Sequence, residues 1–204
     1  MRKNNFIPRN KGRRVLGPAL HVFCEGATEE AYLKAYLRAH RYSRCEIEIS
    51  HHTDPVNLVR EAKEAKVGAP ASESFWVVYD LEDISQPKKL ESHKEAFQLA
   101  EKNGINIALS AVSIEVWILL HFIKNPRAFV TAKSAERSLR AHLPNYKKGN
   151  SNIFTDIQQY IPIARQNAKA LQDQIERDKP NSKPFENNPY SSFHLLLDAI
   201  DKIK

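Results

Sequence analysis

Cysteine is nearly absent from this chain of 204 residues. Cys24 and Cys45 are the only two, too few for a disulfide framework or a cysteine-built zinc site. The N-terminus is basic, but Pro8 breaks the stretch from Asn4 to Asn10 and no apolar segment of secretory type follows. A reducing, cytoplasmic setting is therefore the expectation. Long hydrophobic runs are missing as well. The longest, Val116 to Ile123, contains His121 and falls far short of the roughly 20 residues that cross a bilayer. No membrane partner is expected. There is no Walker-type phosphate loop and no dinucleotide-binding glycine fingerprint. A GxSxG elbow is lacking too, and the cysteines have no catalytic arrangement. These absences turn attention away from nucleotide-driven and serine- or cysteine-nucleophile chemistry.

What is present is the composition of a folded protein, 42% apolar and 9% aromatic. The length suits one domain with a helical extension. The net charge of +7 is unevenly spread. Arg2, Lys3, Arg9, Lys11, Arg13 and Arg14 stand in the first fourteen residues with no acid among them, so the rest is near neutral. Residues 1 to 17 read as a flexible basic arm. Such an arm suits nucleic-acid phosphates, and equally suits a tail that only keeps the protein in solution.

Elements follow from patterning. Leu20 to Cys24 is a buried strand running into Glu25-Gly26. Thr28 is placed to cap a helix to about His40, with Glu29 and Glu30 in its first turn. Cys45 to Ser50 alternates as a half-exposed strand, and Asp54-Pro55 opens a second helix. Phe75 to Tyr79 is the continuous apolar run of a central parallel strand, ending in Asp80-Leu81-Glu82-Asp83. A charged helix, Pro87 to Asn103, is closed by Gly104. Ile105 to Leu109 is a fourth strand, and Ser113 caps an apolar helix from Val116 to Phe122. This alternation predicts an α/β fold with a central parallel sheet flanked by helices, over residues 18 to 125. Residues 126 to 204 show no strand. They read as a helical region packed on the core, with helices over Ala132 to His142, Ile153 to Asp178 and Phe193 to Ile203.

In a parallel sheet the carboxyl ends of the strands share one edge, where functional groups collect. Glu25 ends the first strand, Asp80 and Glu82 end the third, and Glu115 follows the fourth. Alternation along Asp80-Leu81-Glu82 points both acids one way and Leu81 into packing. Crowded carboxylates repel, and a hard cation is the usual remedy. Oxygen-only ligands favour Mg2+ or Mn2+. Each acid alone also has a plain reading: Glu25 as a helix cap, Glu82 and Asp83 as loop or cap residues, Glu115 as a first-turn residue stabilised by the helix dipole. His51-His52 reads as a surface pair and His121 as a core or boundary histidine. Lys147 or Lys148 is available to steady negative charge.

Three segments together resemble the RloB-like family. They are Val22-Phe23-Cys24-Glu25-Gly26 with Thr28-Glu29, then Tyr79 to Asp83, and, most specifically, Ser110 to Phe122. Tyr146-Lys147, Asn188-Pro189 and His194-Leu195 extend the resemblance to roughly residues 18 to 200. That family is similar to the TOPRIM proteins, the metal-binding fold of topoisomerases, bacterial primases and OLD-type nucleases. The resemblance implies a TOPRIM-like sheet, with Glu25 as metal ligand or acid/base and Asp80 and Glu82 as metal ligands. Glu82 stands where the family pattern has aspartate, which leaves Asp83 as the alternative second acid. Glu115 and Lys147 complete the expected catalytic set. The expected function is a Mg2+- or Mn2+-dependent nuclease acting on DNA or RNA in anti-phage defence, with an ATPase of the same system as a possible partner. A non-catalytic module that binds nucleic acid or a partner protein is the alternative.

Overall fold

The computed structural model describes residues 19–82, 87–124, 126–149 and 153–203. The basic arm and Asp83 therefore lie outside the described residues. Strand and helix alternate through the first part: β1 (Leu20–Cys24), α1 (Ala27–His40), β2 (Cys45–Ile49), α2 (Pro55–Lys66), β3 (Ser74–Asp80), α3 (Pro87–Asn103), β4 (Asn106–Ala111) and α4 (Ile114–Leu119). Then come α5 (Ala132–Arg140), α6 (Ile153–Ile157), α7 (Ile161–Asp178), a two-residue strand β5 (Tyr190–Ser191) and α8 (Phe193–Lys202).

The sheet order is β2-β1-β3-β4-β5. The first four strands are parallel, as strands joined by helical crossovers must be. Alternate residues serve opposite faces. Val22, Cys24, Trp76 and Val78 enter one apolar cluster, and Phe23, Phe75, Val77 and Tyr79 enter the other. The second cluster is closed by α2 and α3 through Leu58, Val59, Ala96 and Ala100. The first is larger, and it holds α1 and α4 together with the helices after residue 131. Asp54 caps α2 as expected, its Oδ1 accepting the Asn57 N–H at 3.0 Å behind Pro55. Gly104 closes α3 with φ +61°, a conformation open to glycine.

Some expectations do not hold. The N-cap of α1 is Gly26, not Thr28. Thr28 lies inside the helix and is buried, and its Oγ1 accepts the Gly149 N–H at 3.0 Å. Ser113 occupies the N-cap position of α4, but its side chain makes no cap bond and its Oγ is buried without a partner. The span from Ile153 to Asp178 is not one helix. Pro162 has no N–H to give to the carbonyl four residues back, and the chain passes through a 3-10 turn at Gln158–Tyr160 before α7. The expected strand-free C-terminal region contains β5, which pairs antiparallel with the end of β4, Ser191 opposite Ser110. Two residues are too short to carry a periodicity.

The α4 helix is the core element its sequence announces. Every residue from Ile114 to Leu119 is at most 2% exposed. Trp117 stacks on Phe193 at 5.4 Å and meets Tyr32 edge-on at 6.4 Å. His121 is a core histidine. Its Nδ1–H donates to the carbonyls of Trp117 and Ile118, both at 3.2 Å, and burial pushes its pKa down to about 4. Truncating Trp117 to alanine should cost about 3–5 kcal/mol, read as a lower midpoint in urea. A variant within about 1 kcal/mol of the parent would show that α4 is not core.

Candidate metal centre

Glu25 leaves β1 at its carboxyl end. Its backbone N–H donates to the Val78 carbonyl at 2.9 Å, which continues the β1–β3 pairing. Its side chain then reaches across the edge, and Oε2 accepts the backbone N–H of Asp80 at 3.1 Å. Glu25 therefore meets the main chain of Asp80 at the strand ends, although the two are far apart in sequence. Glu25, Asp80 and Glu82 line one cleft of about 380 Å3, with Thr53, Asp54, Lys88, Lys89, Ser92 and His93 as its other walls.

Behind them lie two fully buried acids. Glu115, in the first turn of α4, is 0% exposed, and Glu29, in the first turn of α1, is 4% exposed. Their negative charges act on Asp80 together with that of Glu25, and Lys148 opposes them. Burial, then Glu29, Glu115 and Glu25, hold the Asp80 carboxyl well above its ordinary range. Burial is likewise the main cause that raises Glu29, with Glu115 adding to it. Glu25 is pushed up to about 7, first by burial and then by Glu29 and Glu82, against the relief of the Asp80 N–H. Lys148 stands 3.7 Å from Glu115 Oε1, and the Tyr146 hydroxyl donates to the same oxygen at 2.8 Å. Glu115 Oε2 is buried with no partner.

The family model described as RloB-like protein matches residues 20–200. This chain belongs to the RloB-like family. Among solved structures, the C-terminal region of the Burkholderia pseudomallei OLD protein is similar to it at 15% identity and a TM-score of 0.39, over 91% of this chain and 98% of that one. No curated protein matches.

Not every residue singled out from the RloB-like motifs joins the buried cluster. Leu81 is 0% exposed, turned into packing as alternation requires. Glu82, however, takes a left-handed backbone, φ +50°, which a non-glycine residue adopts only at a cost. Its side chain is exposed and paired with Lys89 at 2.7 Å. Both candidate lysines are exposed, and it is Lys148 whose ammonium stands 3.7 Å from Glu115 Oε1. His51 and His52 are exposed, as a surface pair would be. Among the described residues no three Asp, Glu, His or Cys side chains are gathered closely enough to enclose an ion.

Glu29 escaped the strand-end argument because it sits a turn into α1. A signal for it exists all the same. It precedes Tyr32 and Leu33 by three and four residues, the spacing of one helix face, and both of those are 0% exposed. Gly26 carries a second sign: a Cβ there would lie 2.5 Å from Glu29 Oε2. The Glu25-Gly26 motif thus makes room for the folded-back carboxylate of Glu29.

The donor set fits a hard dication. Its acids offer carboxylate oxygens, their charges repel one another, and one buried carboxylate oxygen has nothing bound to it. Without an ion the cluster should destabilise the protein at alkaline pH. Glu25 has a folded pKa near 7 against an ordinary 4.5, so the stability present below about pH 4.5 is lost as pH rises through 7. Glu25→Gln keeps an acceptor for the Asp80 N–H and cannot ionise. In EDTA the variant should be more stable than the parent at pH 8, by roughly 3 kcal/mol at most, and no more stable at pH 4.5. Melting curves across this range check it, and an equal difference at both ends would contradict it.

Proposed function

We propose that this RloB-like protein is a Mg2+- or Mn2+-dependent nuclease that cleaves phosphodiester bonds of DNA or RNA in anti-phage defence. The observation that carries the reading is the Glu25–Asp80 contact at the carboxyl edge of the sheet, backed by buried Glu29 and Glu115 with the free Oε2 of Glu115. A set of acids alone would repel a phosphodiester. A dication held by oxygens of Glu25, Asp80 and Glu82, with Glu115 behind them, would reverse that field, polarise a phosphoryl oxygen and lower the pKa of water.

The chain's own groups divide the remaining work. Asp80, rigid at the end of a central strand, is the best-fixed ligand. Glu25, whose carboxyl titrates near neutral pH, is suited to hold or release a proton at its Oε atoms. Lys148, 3.7 Å from Glu115 Oε1, offsets the acids and is placed for charge developing on the phosphate. Lys88 and Lys89 form a basic wall of the cleft, suited to a nucleic-acid phosphate. The basic residues of the N-terminal arm would add affinity that depends on salt.

A second reading, a module that binds nucleic acid or a partner ATPase without cutting, draws on Glu82. That side chain is exposed and already engaged by Lys89. One experiment separates the two. The full chain is incubated with a panel of single- and double-stranded DNA and tRNA in Mn2+, Mg2+ or EDTA. Cleavage should need the metal, and Asp80→Asn should slow it about a hundredfold or more. The melting temperature of this variant should hold or rise, because one of several repelling charges is gone. Binding without cleavage in every metal would favour the second reading.

A further inference from the structure

Lys148 is carried to the acids by a short segment of the C-terminal region. The chain from Leu143 to Gly149 bridges α4 and α1, pinned at two points. Tyr146 is 4% exposed, and its hydroxyl donates to Glu115 Oε1 at 2.8 Å. Three residues on, the Gly149 N–H donates to Thr28 Oγ1 at 3.0 Å, from a glycine at φ +73°. Lys148 lies between these pins, and its ammonium stands 3.7 Å from the oxygen that Tyr146 also holds.

Both contacts fall on Oε1. The other oxygen, Oε2, is as deeply buried and has no partner. Leaving a carboxylate oxygen buried and unpaired is costly unless something supplies the missing positive charge. A carboxylate free to rotate would spend its two oxygens interchangeably on the tyrosine, the lysine and a metal. Here the phenol fixes which oxygen is spent.

We infer that Tyr146 is a positioning residue for the metal centre: by holding Oε1 of Glu115 it reserves Oε2 for the incoming cation, and with the Thr28–Gly149 pin it keeps Lys148 at the cluster. The inference rests on the metal-centre reading of the preceding subsection. It extends that reading to a residue that binds neither metal nor substrate, and it explains why Thr28 is buried inside α1 instead of capping it. Outer partners of this kind orient a ligating carboxylate, and their loss lowers metal affinity about 10- to 100-fold.

Tyr146→Phe tests this in the full chain, since it keeps the buried ring and removes only the hydroxyl. Thr28→Val removes the second pin with little change of volume. The probe is Mn2+ alone, titrated by calorimetry into protein freed of metal, with the melting temperature in EDTA measured beside it. Tyr146→Phe should weaken Mn2+ binding about tenfold or more, and Thr28→Val should weaken it in the same direction. The metal-free melting temperature of Tyr146→Phe should stay close to that of the parent. A Tyr146→Phe protein that melts lower yet binds Mn2+ as the parent does would show a packing role only, and would overturn the inference while leaving the metal centre standing. A parent protein that takes up no Mn2+ would overturn the metal centre and this inference together.

Discussion

Mutual repulsion among carboxylates at the carboxyl edge of the sheet is the constraint on which the rest of this structure depends. Burial raises the cost of ionising Glu25, Glu29 and Asp80, and neighbouring acids add to it: Glu29 and Glu82 at Glu25, Glu115 at Glu29, and Glu29, Glu115 and Glu25 at Asp80. A fold can carry such a cluster only if the surrounding scaffold is held by other means. Here the means are two apolar layers on either side of a parallel sheet, with the all-buried α4 as the floor beneath Glu115. Backbone geometry does the rest. The Asp80 N–H binds Glu25, and the absence of a Cβ at Gly26 admits Glu29. The compensating charge, Lys148, is delivered by a strap tied to α1 and α4 instead of by the sheet itself.

Membership of the RloB-like family rests on nearly the whole chain, residues 20–200. Within it, the case for nuclease chemistry rests on local electrostatics. A stable protein has little reason to bury acids side by side with an oxygen left unpaired. A site that binds a dication has that reason, since the ion turns the repulsion into coordination.

Much of this was legible in the residues alone. The alternation of strand and helix sets the parallel sheet, and a parallel sheet puts Glu25, Asp80 and Glu115 on one edge whatever their distance in sequence. The apolar run after Ser113 marks α4 as core. What could not be read depends on three-dimensional detail. Thr28 has the chemistry of a cap, but the backbone starts α1 at Gly26 and gives Thr28 to Gly149. Lys147 and Lys148 are indistinguishable as neighbours, and only the path of the strap decides between them. Alternation placed Glu82 beside Asp80, but a left-handed backbone turned it toward Lys89. Strand β5 is held by pairing with β4 and not by any pattern of its own.

The central claim is that the buried acids are a cation site. Thermal melting of the full chain with and without Mn2+ tests it most directly, with a Glu25→Gln/Asp80→Asn double variant run in parallel. An ion that binds the folded state alone must raise its melting temperature. The account predicts a saturable rise in the parent protein and none in the double variant, whose metal-free form should already melt higher than the parent at pH 8. No rise in the parent, or the same rise in both proteins, would contradict it.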